Sequence, residues 1–220
     1  MQATLLSLLG MALFGVLHGQ EEVTVQPDFQ QEKFTGKWYS IGLASSSRWF
    51  MEKKQVLKMC TTVITPTADG NLNVTSTYPK QDGCKKIDLV FEKTGQLVSG
   101  YHLFLSTEMG KQDMRVVATD YTNYAIVYTF KDDDGKSSTT LQLYSRIQEV
   151  NPEAMKIFKE LYPPMGLTDN MLVILPKSGK CHRAPDSFIP ALSGLDSIQL
   201  HCSQNSDPAG TQVLLPMEFW

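Results

Sequence analysis

Cysteine is the residue type in this 220-residue chain that can take part in the most kinds of reaction. Its thiol can act as a nucleophile, ligate a metal or form a disulfide. The four cysteines are Cys60, Cys84, Cys181 and Cys202. They permit three fully paired connectivities, or one pair with two free thiols. No CxxC pair occurs and the four histidines are scattered, so the spacing does not predict a metal site.

Parity along two predicted strands brings Cys60 together with hydroxyl groups. Cys60 and Thr62 are two residues apart and therefore share one face of a strand. In the following strand, Asn73-Val74-Thr75 is a glycosylation sequon, and a glycan on Asn73 must point outward. Ser76 lies at an odd separation from Asn73, so its side chain is expected to point inward.

The strands that position these residues are marked by turn signals such as Asp69-Gly70 between short runs rich in Val, Ile, Thr, Tyr and Phe. The pattern predicts an all-β antiparallel meander of eight strands. Eight strands close an up-and-down barrel around a small-ligand cavity, and a two-sheet sandwich is the alternative. The strands are expected near residues 37–44, 57–66, 71–78, 86–92, 97–105, 113–119, 123–130 and 139–147.

A helix is predicted after the eighth strand. Asn151 is a favourable cap, Pro152 suits the first turn, and apolar residues at three- and four-residue spacing form one stripe up to about Tyr162. We expect this helix to pack on the outside of the sheet and a short strand over 171–175 to follow.

Both ends of the chain differ from this domain. Residues 1–19 are predicted to be a secretory signal peptide, because an apolar run over 5–17 precedes a small residue and the polar Gln20. The mature protein is therefore expected to be secreted, extracellular and exposed to oxidising conditions. Residues 182–220 lack a strand pattern and are treated as a C-terminal tail, which leaves one domain over 20–181.

Charge excludes one class of partner. The chain has 20 Lys and Arg against 23 Asp and Glu, a net charge of −3, so nucleic-acid binding is not expected. No segment reaches the roughly 18 apolar residues of an integral membrane helix.

Three motifs resemble the signature regions of the lipocalins: Gly36-Lys37-Trp38, Thr119-Asp120-Tyr121 and Arg146. The resemblance covers about residues 25–181. It implies an eight-stranded barrel, or calyx, with one C-terminal helix packed outside. It also implies that the Arg146 guanidinium closes the narrow end by a cation–π contact with Trp38.

Within that family the chain is similar to the prostaglandin D synthases, on Met59-Cys60, Asp69–Thr77 and Leu143-Tyr144-Ser145-Arg146. This resemblance implies that the Cys60 thiolate isomerises prostaglandin H2 to prostaglandin D2. Ser40, Thr62 and Ser76 fall on the assisting hydroxyl positions. Ser40 is two residues from Trp38 and shares its strand face, so it is expected to point into the barrel as Trp38 does. No cofactor is implied as required, and glutathione or another thiol is expected to stimulate.

The same resemblance implies how the remaining cysteines pair. Cys84 and Cys181 match the family's disulfide, which leaves Cys202 without a partner. We expect Cys202 to be a free thiol or to form an intermolecular bridge, with a bond to Cys60 as the alternative. Asn73 is expected to be glycosylated.

The ligand-binding residues are predicted from position. Tyr144 shares the face of Arg146 and is expected to line the calyx, while Trp49 and Phe50 are expected on a loop at its open end. The expected partners of this monomer are small lipophilic ligands: prostaglandin H2, retinoids, bile pigments and fatty acids. The alternatives are a carrier without turnover and a scavenger of siderophores or pheromones.

Overall fold

The computed structural model describes residues 23–80, 83–93, 102–107, 110–133 and 136–178. The predicted signal peptide and C-terminal tail lie outside these residues. Within them, the strands are β1 Gly36–Ser45, β2 Thr61–Pro66, β3 Leu72–Lys80, β4 Gly83–Lys93, β5 His102–Thr107, β6 Gly110–Thr119, β7 Tyr124–Asp133, β8 Lys136–Ser145 and β9 Leu172–Ile174. The α-helices are α1 Gln31–Phe34, α2 Arg48–Lys53 and α3 Pro152–Leu161.

The strands form a closed antiparallel barrel. Consecutive strands pair from β2 to β8, and β1 then pairs with both β8 and β2. The first half of β1 contacts β2, from Gly36 opposite Ile64 to Tyr39 opposite Thr61. Closure removes the open sheet edges that would otherwise expose unpaired backbone groups. The predicted eight-stranded barrel is confirmed, and β9 adds a short ladder to the second half of β1.

The first helix after β1 corrects one prediction. Trp49 and Phe50 lie in α2 rather than in an open loop, because Ser47 Oγ accepts a hydrogen bond from the Phe50 backbone N–H at 3.3 Å and caps the helix. Phe50 is fully buried. The chain continues as a 3₁₀ turn over Lys54–Val56, so β2 begins at Thr61 and not near residue 57.

Helix α3 forms as its cap predicts. The Asn151 carboxamide oxygen accepts from the backbone N–H groups of Glu153 and Ala154 at 2.9 and 3.1 Å. Ala154 and Phe158 are buried against the outer face of β1, where a Cβ on Gly42 would lie 3.6 Å from the Phe158 ring. The helix therefore packs outside the barrel, through the apolar stripe that its spacing predicted.

The buried apolar residues form two main clusters. One includes the residues packed between the barrel wall and α3, such as Leu143, Ala154 and Phe158. The other fills the interior around Trp38, with Ile64, Val127 and Tyr144 among its members. In the part of the chain that the structure describes, no helix is both long and apolar enough to cross a membrane.

Candidate ligand-binding and catalytic site

Trp38 and Arg146 close one end of the barrel. The Arg146 guanidinium carbon lies 3.6 Å from the centroid of the Trp38 ring, a close cation–π contact. The same guanidinium donates to the backbone carbonyls of Lys33, Lys37 and Tyr121 at 2.9 to 3.0 Å. The structure thus brings together the two residues assigned to closure, and Arg146 joins three segments of backbone at this end.

The turn that presents the Tyr121 carbonyl is held by Asp120. Its carboxylate accepts from the backbone N–H groups of Thr122, Asn123 and Tyr124 at 3.2, 2.8 and 2.9 Å. Burial raises the pKa of Asp120, but these hydrogen bonds outweigh burial and leave the pKa below its ordinary value. The carboxylate therefore stays ionised at neutral pH.

Five polar side chains cross the interior above this floor, and we call them the polar belt: Ser40, Thr62, Ser76, Gln142 and Tyr144. All five are buried. Strand pairing makes them neighbours, because Ser40 is opposite Tyr144 and Thr62 is opposite Ser76. The inward orientation that parity predicts for Ser40, Thr62 and Ser76 is the one observed.

Hydrogen bonds join the members of the polar belt in two sets. Thr62 Oγ1 and Ser76 Oγ are 3.1 Å apart. The second set forms a hydrogen-bond chain, in which Tyr144 Oη donates to Gln142 Oε1 at 2.9 Å and Gln142 Nε2 donates to Ser40 Oγ at 3.0 Å. Burial raises the pKa of Tyr144, and the neighbouring Thr62 hydroxyl opposes this only in part. Tyr144 is therefore a neutral phenol that keeps its proton.

Gln142 is the member that the sequence analysis missed. Its side chain links the hydroxyls of two predicted residues, Ser40 and Tyr144. The signal was present, because Gln142 precedes Tyr144 by two residues and so shares its face of β8.

Cys60 borders the polar belt. It directly precedes β2, is 4% exposed and packs with Tyr78 and Ile87. Its backbone carbonyl accepts from the Ser40 N–H at 3.1 Å, which places the two residues opposite each other on neighbouring strands. Directly opposite residues on adjacent strands share a face, with Cβ atoms about 5 Å apart.

The oxidation state of Cys60 differs from the one that the sequence hypothesis requires. Cys60 and Cys84 are both disulfide-bonded, so Cys60 is not the free thiol that nucleophilic chemistry needs. Strand β3 separates them, because Cys60 adjoins the Thr61–Thr77 pair and Cys84 is opposite Pro79. Two strand spacings amount to roughly 10 Å, more than a disulfide spans. Each partner therefore lies outside the described residues, as do Cys181 and Cys202.

A small cavity lies between the polar belt and the floor. Trp38, Thr62 and Tyr144 border it, with Ile64, Val74 and Val127 among its apolar walls. Its volume of about 20 Å³ fits a water molecule or a methyl-sized group. It does not fit a whole lipid.

The other predicted residues lie away from this centre. Trp49 is half-buried and packs on the cluster beneath α3. Asn73 pairs with Val90, which is 50% exposed, so the sequon lies on the outer face of the barrel. No group of three or more potential metal ligands occurs among the described residues.

Comparisons with known proteins agree with this architecture. Residues 35–179 match the lipocalin / cytosolic fatty-acid binding protein family. The chain is 44% identical to human lipocalin-15 over 163 residues, covering 74% of this chain and 86% of that protein. It is 39% identical to the horse prostaglandin-H2 D-isomerase over 183 residues, covering 79% and 93% respectively.

A solved structure gives the same result for the fold. The siderocalin Ex-FABP, described as functioning through dual ligand specificities, superposes with a TM-score of 0.61 at 33% identity. The match covers 68% of this chain and 97% of that chain.

Proposed function

Because the chain belongs to the lipocalin family, we propose that it carries small lipophilic ligands in its calyx and, with Cys60 reduced, isomerises prostaglandin H2 to prostaglandin D2. The observation that carries the proposal is the placement of Cys60 beside the polar belt, opposite Ser40. Relatives at about 40% identity include proteins named prostaglandin-H2 D-isomerase and proteins named lipocalin alone.

Ligand carriage rests on the mixed chemistry of the interior. Apolar side chains on the inner face, such as the buried Leu43 opposite Gln142, would hold a hydrocarbon chain by burial. Each buried CH₂ contributes about 0.8 kcal/mol before the losses of binding are subtracted. The polar belt supplies hydrogen bonds at one depth of the calyx, so a ligand with one polar group within an apolar body fits it best.

The isomerisation is a redox-neutral rearrangement. The Cys60 thiolate attacks the endoperoxide oxygen on C11, so an S–O bond forms and the O–O bond breaks. The oxygen released on C9 takes a proton and becomes the hydroxyl. Loss of the C11 proton to a base then forms the C11 ketone, and the S–O bond breaks to return the thiolate.

This chemistry requires the disulfide of Cys60 to be reduced first. A dithiol supplies two electrons and two protons and leaves two thiols in place of the S–S bond. Glutathione, or another thiol, would then act as an activator rather than as a cofactor of each turnover. The oxidised form would bind ligands without turnover, which is the carrier function.

Turnover of prostaglandin H2 by the full chain, with and without prior dithiol reduction, tests the proposal. We expect product only after reduction, and none above background from reduced Cys60→Ala, which should bind retinoids within a few-fold of wild type. Equal turnover by reduced wild type and Cys60→Ala would refute catalysis by this residue.

Two further variants identify the disulfide partner of Cys60. Cys181→Ala and Cys202→Ala each remove one cysteine outside the described residues. The variant that lacks the disulfide partner should be active without reductant, while the other should still need it. Failure of wild-type protein to bind any lipophilic ligand would overturn carriage as well.

A further inference from the structure

The hydrogen-bond chain of the polar belt has a direction, and Gln142 sets it. A carboxamide nitrogen only donates and a carboxamide oxygen only accepts. Because Gln142 Oε1 faces Tyr144 Oη and Gln142 Nε2 faces Ser40 Oγ, Tyr144 must donate to Gln142 and Ser40 must accept from it.

Two donors remain at the Ser40 end. The Ser40 hydroxyl accepts from Gln142, and no oxygen or nitrogen acceptor for its proton is within reach in the described part of the chain. Gln142 Nε2 has a second N–H, which is likewise not used within those residues. Ser40 is only 1% exposed and Gln142 only 6%. Buried donors without acceptors are costly, so an acceptor brought by a ligand would recover that cost.

We propose that Ser40 and Gln142 form a donor pair that binds a neutral acceptor oxygen of the ligand, namely a carbonyl, ether or peroxide oxygen. The polar belt contains no Lys, Arg or His to neutralise a carboxylate, so a charged acceptor is disfavoured. Gln142 is thereby a specificity-determining residue. The inference rests on the proposed carriage of lipophilic ligands and does not require turnover.

The test compares two ligands that differ only in the acceptor. All-trans-retinal carries an aldehyde, and axerophthene is the hydrocarbon with a methyl group in its place. Dissociation constants are measured by quenching of tryptophan fluorescence for wild type, Ser40→Ala, Gln142→Met and Ser145→Ala. Ser145→Ala is the matched control, because it makes the same chemical change at a buried serine outside the polar belt, whose hydroxyl oxygen accepts from the Ile147 N–H. Borohydride treatment followed by mass spectrometry checks that retinal has formed no imine with lysine.

We expect the preference for retinal over axerophthene to fall at least fivefold in Ser40→Ala and in Gln142→Met, and to change less than twofold in Ser145→Ala. Axerophthene binding also reports that each variant keeps its calyx, and Gln142→Met replaces Ser40→Ala if the latter does not fold. Equal losses at Ser40 and Ser145, or an unchanged preference in all folded variants, would overturn the donor pair. If neither ligand binds wild type, the proposed carriage fails instead.

Discussion

Ser40 lies opposite Cys60 on the neighbouring strand, so it is the member of the polar belt that we expect to support a reduced Cys60. Burial disfavours a thiolate, so a reduced Cys60 needs a hydrogen-bond donor to offset the loss of water. Thr62 and Ser76 bond to each other, whereas the Ser40 proton has no acceptor among the described residues.

Parity along strands predicted the inward side chains of Ser40, Thr62 and Ser76 because it is a local property of the backbone. The disulfide of Cys60 could not be predicted from a local pattern, because it depends on a residue distant in sequence. Four cysteines permit several pairings, and their spacing does not distinguish between them. The role of Gln142 depends on contacts between β1 and β8, which also only the fold supplies.

Tyr144→Phe tests whether the polar belt stabilises the barrel. The change removes the bond to Gln142 and leaves the Gln142 oxygen buried without a donor. We expect a loss of about 1–3 kcal/mol in the free energy of unfolding, measured by urea denaturation.

Tyr124→Phe is the control for that measurement. Its hydroxyl makes no hydrogen bond to any described residue, so the change should cost less than about 0.5 kcal/mol. Similar losses for the two variants would show that the hydrogen-bond chain contributes nothing specific.

At the scale of elements, β1 organises the site because it pairs with β2, β8 and β9. A bulge between Ser40 and Gly42 shifts its register against β8 by one residue. Leu43 and Ser45, opposite Gln142 and Thr140, therefore continue the inner face, although they are at odd separations from Ser40. Strand number and the α3 cap were predictable from local patterns, whereas this bulge depends on partner strands and was not.

Gly36, at the start of β1, is a position in the barrel floor where an added side chain would be strained. Its φ is +96°, and an added Cβ would lie 3.3 Å from Arg146 Nη1. Gly36→Ala should lower the free energy of unfolding by about 1–3 kcal/mol, since both strain and the Trp38–Arg146 contact are affected.

Gly70→Ala is the control that measures the effect of backbone strain alone. Gly70 also has a positive φ, +83°, but nothing lies within 4 Å of an added Cβ. A smaller loss at Gly70 than at Gly36 is expected by thermal denaturation. If Gly36→Ala is no worse than Gly70→Ala, the close packing against Arg146 is not important for stability.

At the scale of the whole molecule, the barrel separates an inner surface for ligands from an outer surface for solvent. The Asn73 sequon lies on the outer face, opposite the exposed Val90. This geometry is compatible with the predicted passage through the secretory pathway, in which glycans are attached.

Expression of the full chain in a secreting eukaryotic cell tests that prediction. We expect protein in the medium with a glycan mass that peptide N-glycosidase removes, and none on Asn73→Gln. Thr75→Ser is the control, because it keeps the sequon. Retention of the glycan by Asn73→Gln would assign it to another residue.

A crystal structure of the full chain with all-trans-retinal tests most directly the central claim, that the polar belt receives the polar group of a lipophilic ligand inside the calyx. The account predicts the polyene within the barrel and the aldehyde oxygen within about 3.2 Å of Ser40 Oγ or Gln142 Nε2. An aldehyde oxygen facing solvent, or a retinal bound outside the barrel, would contradict it.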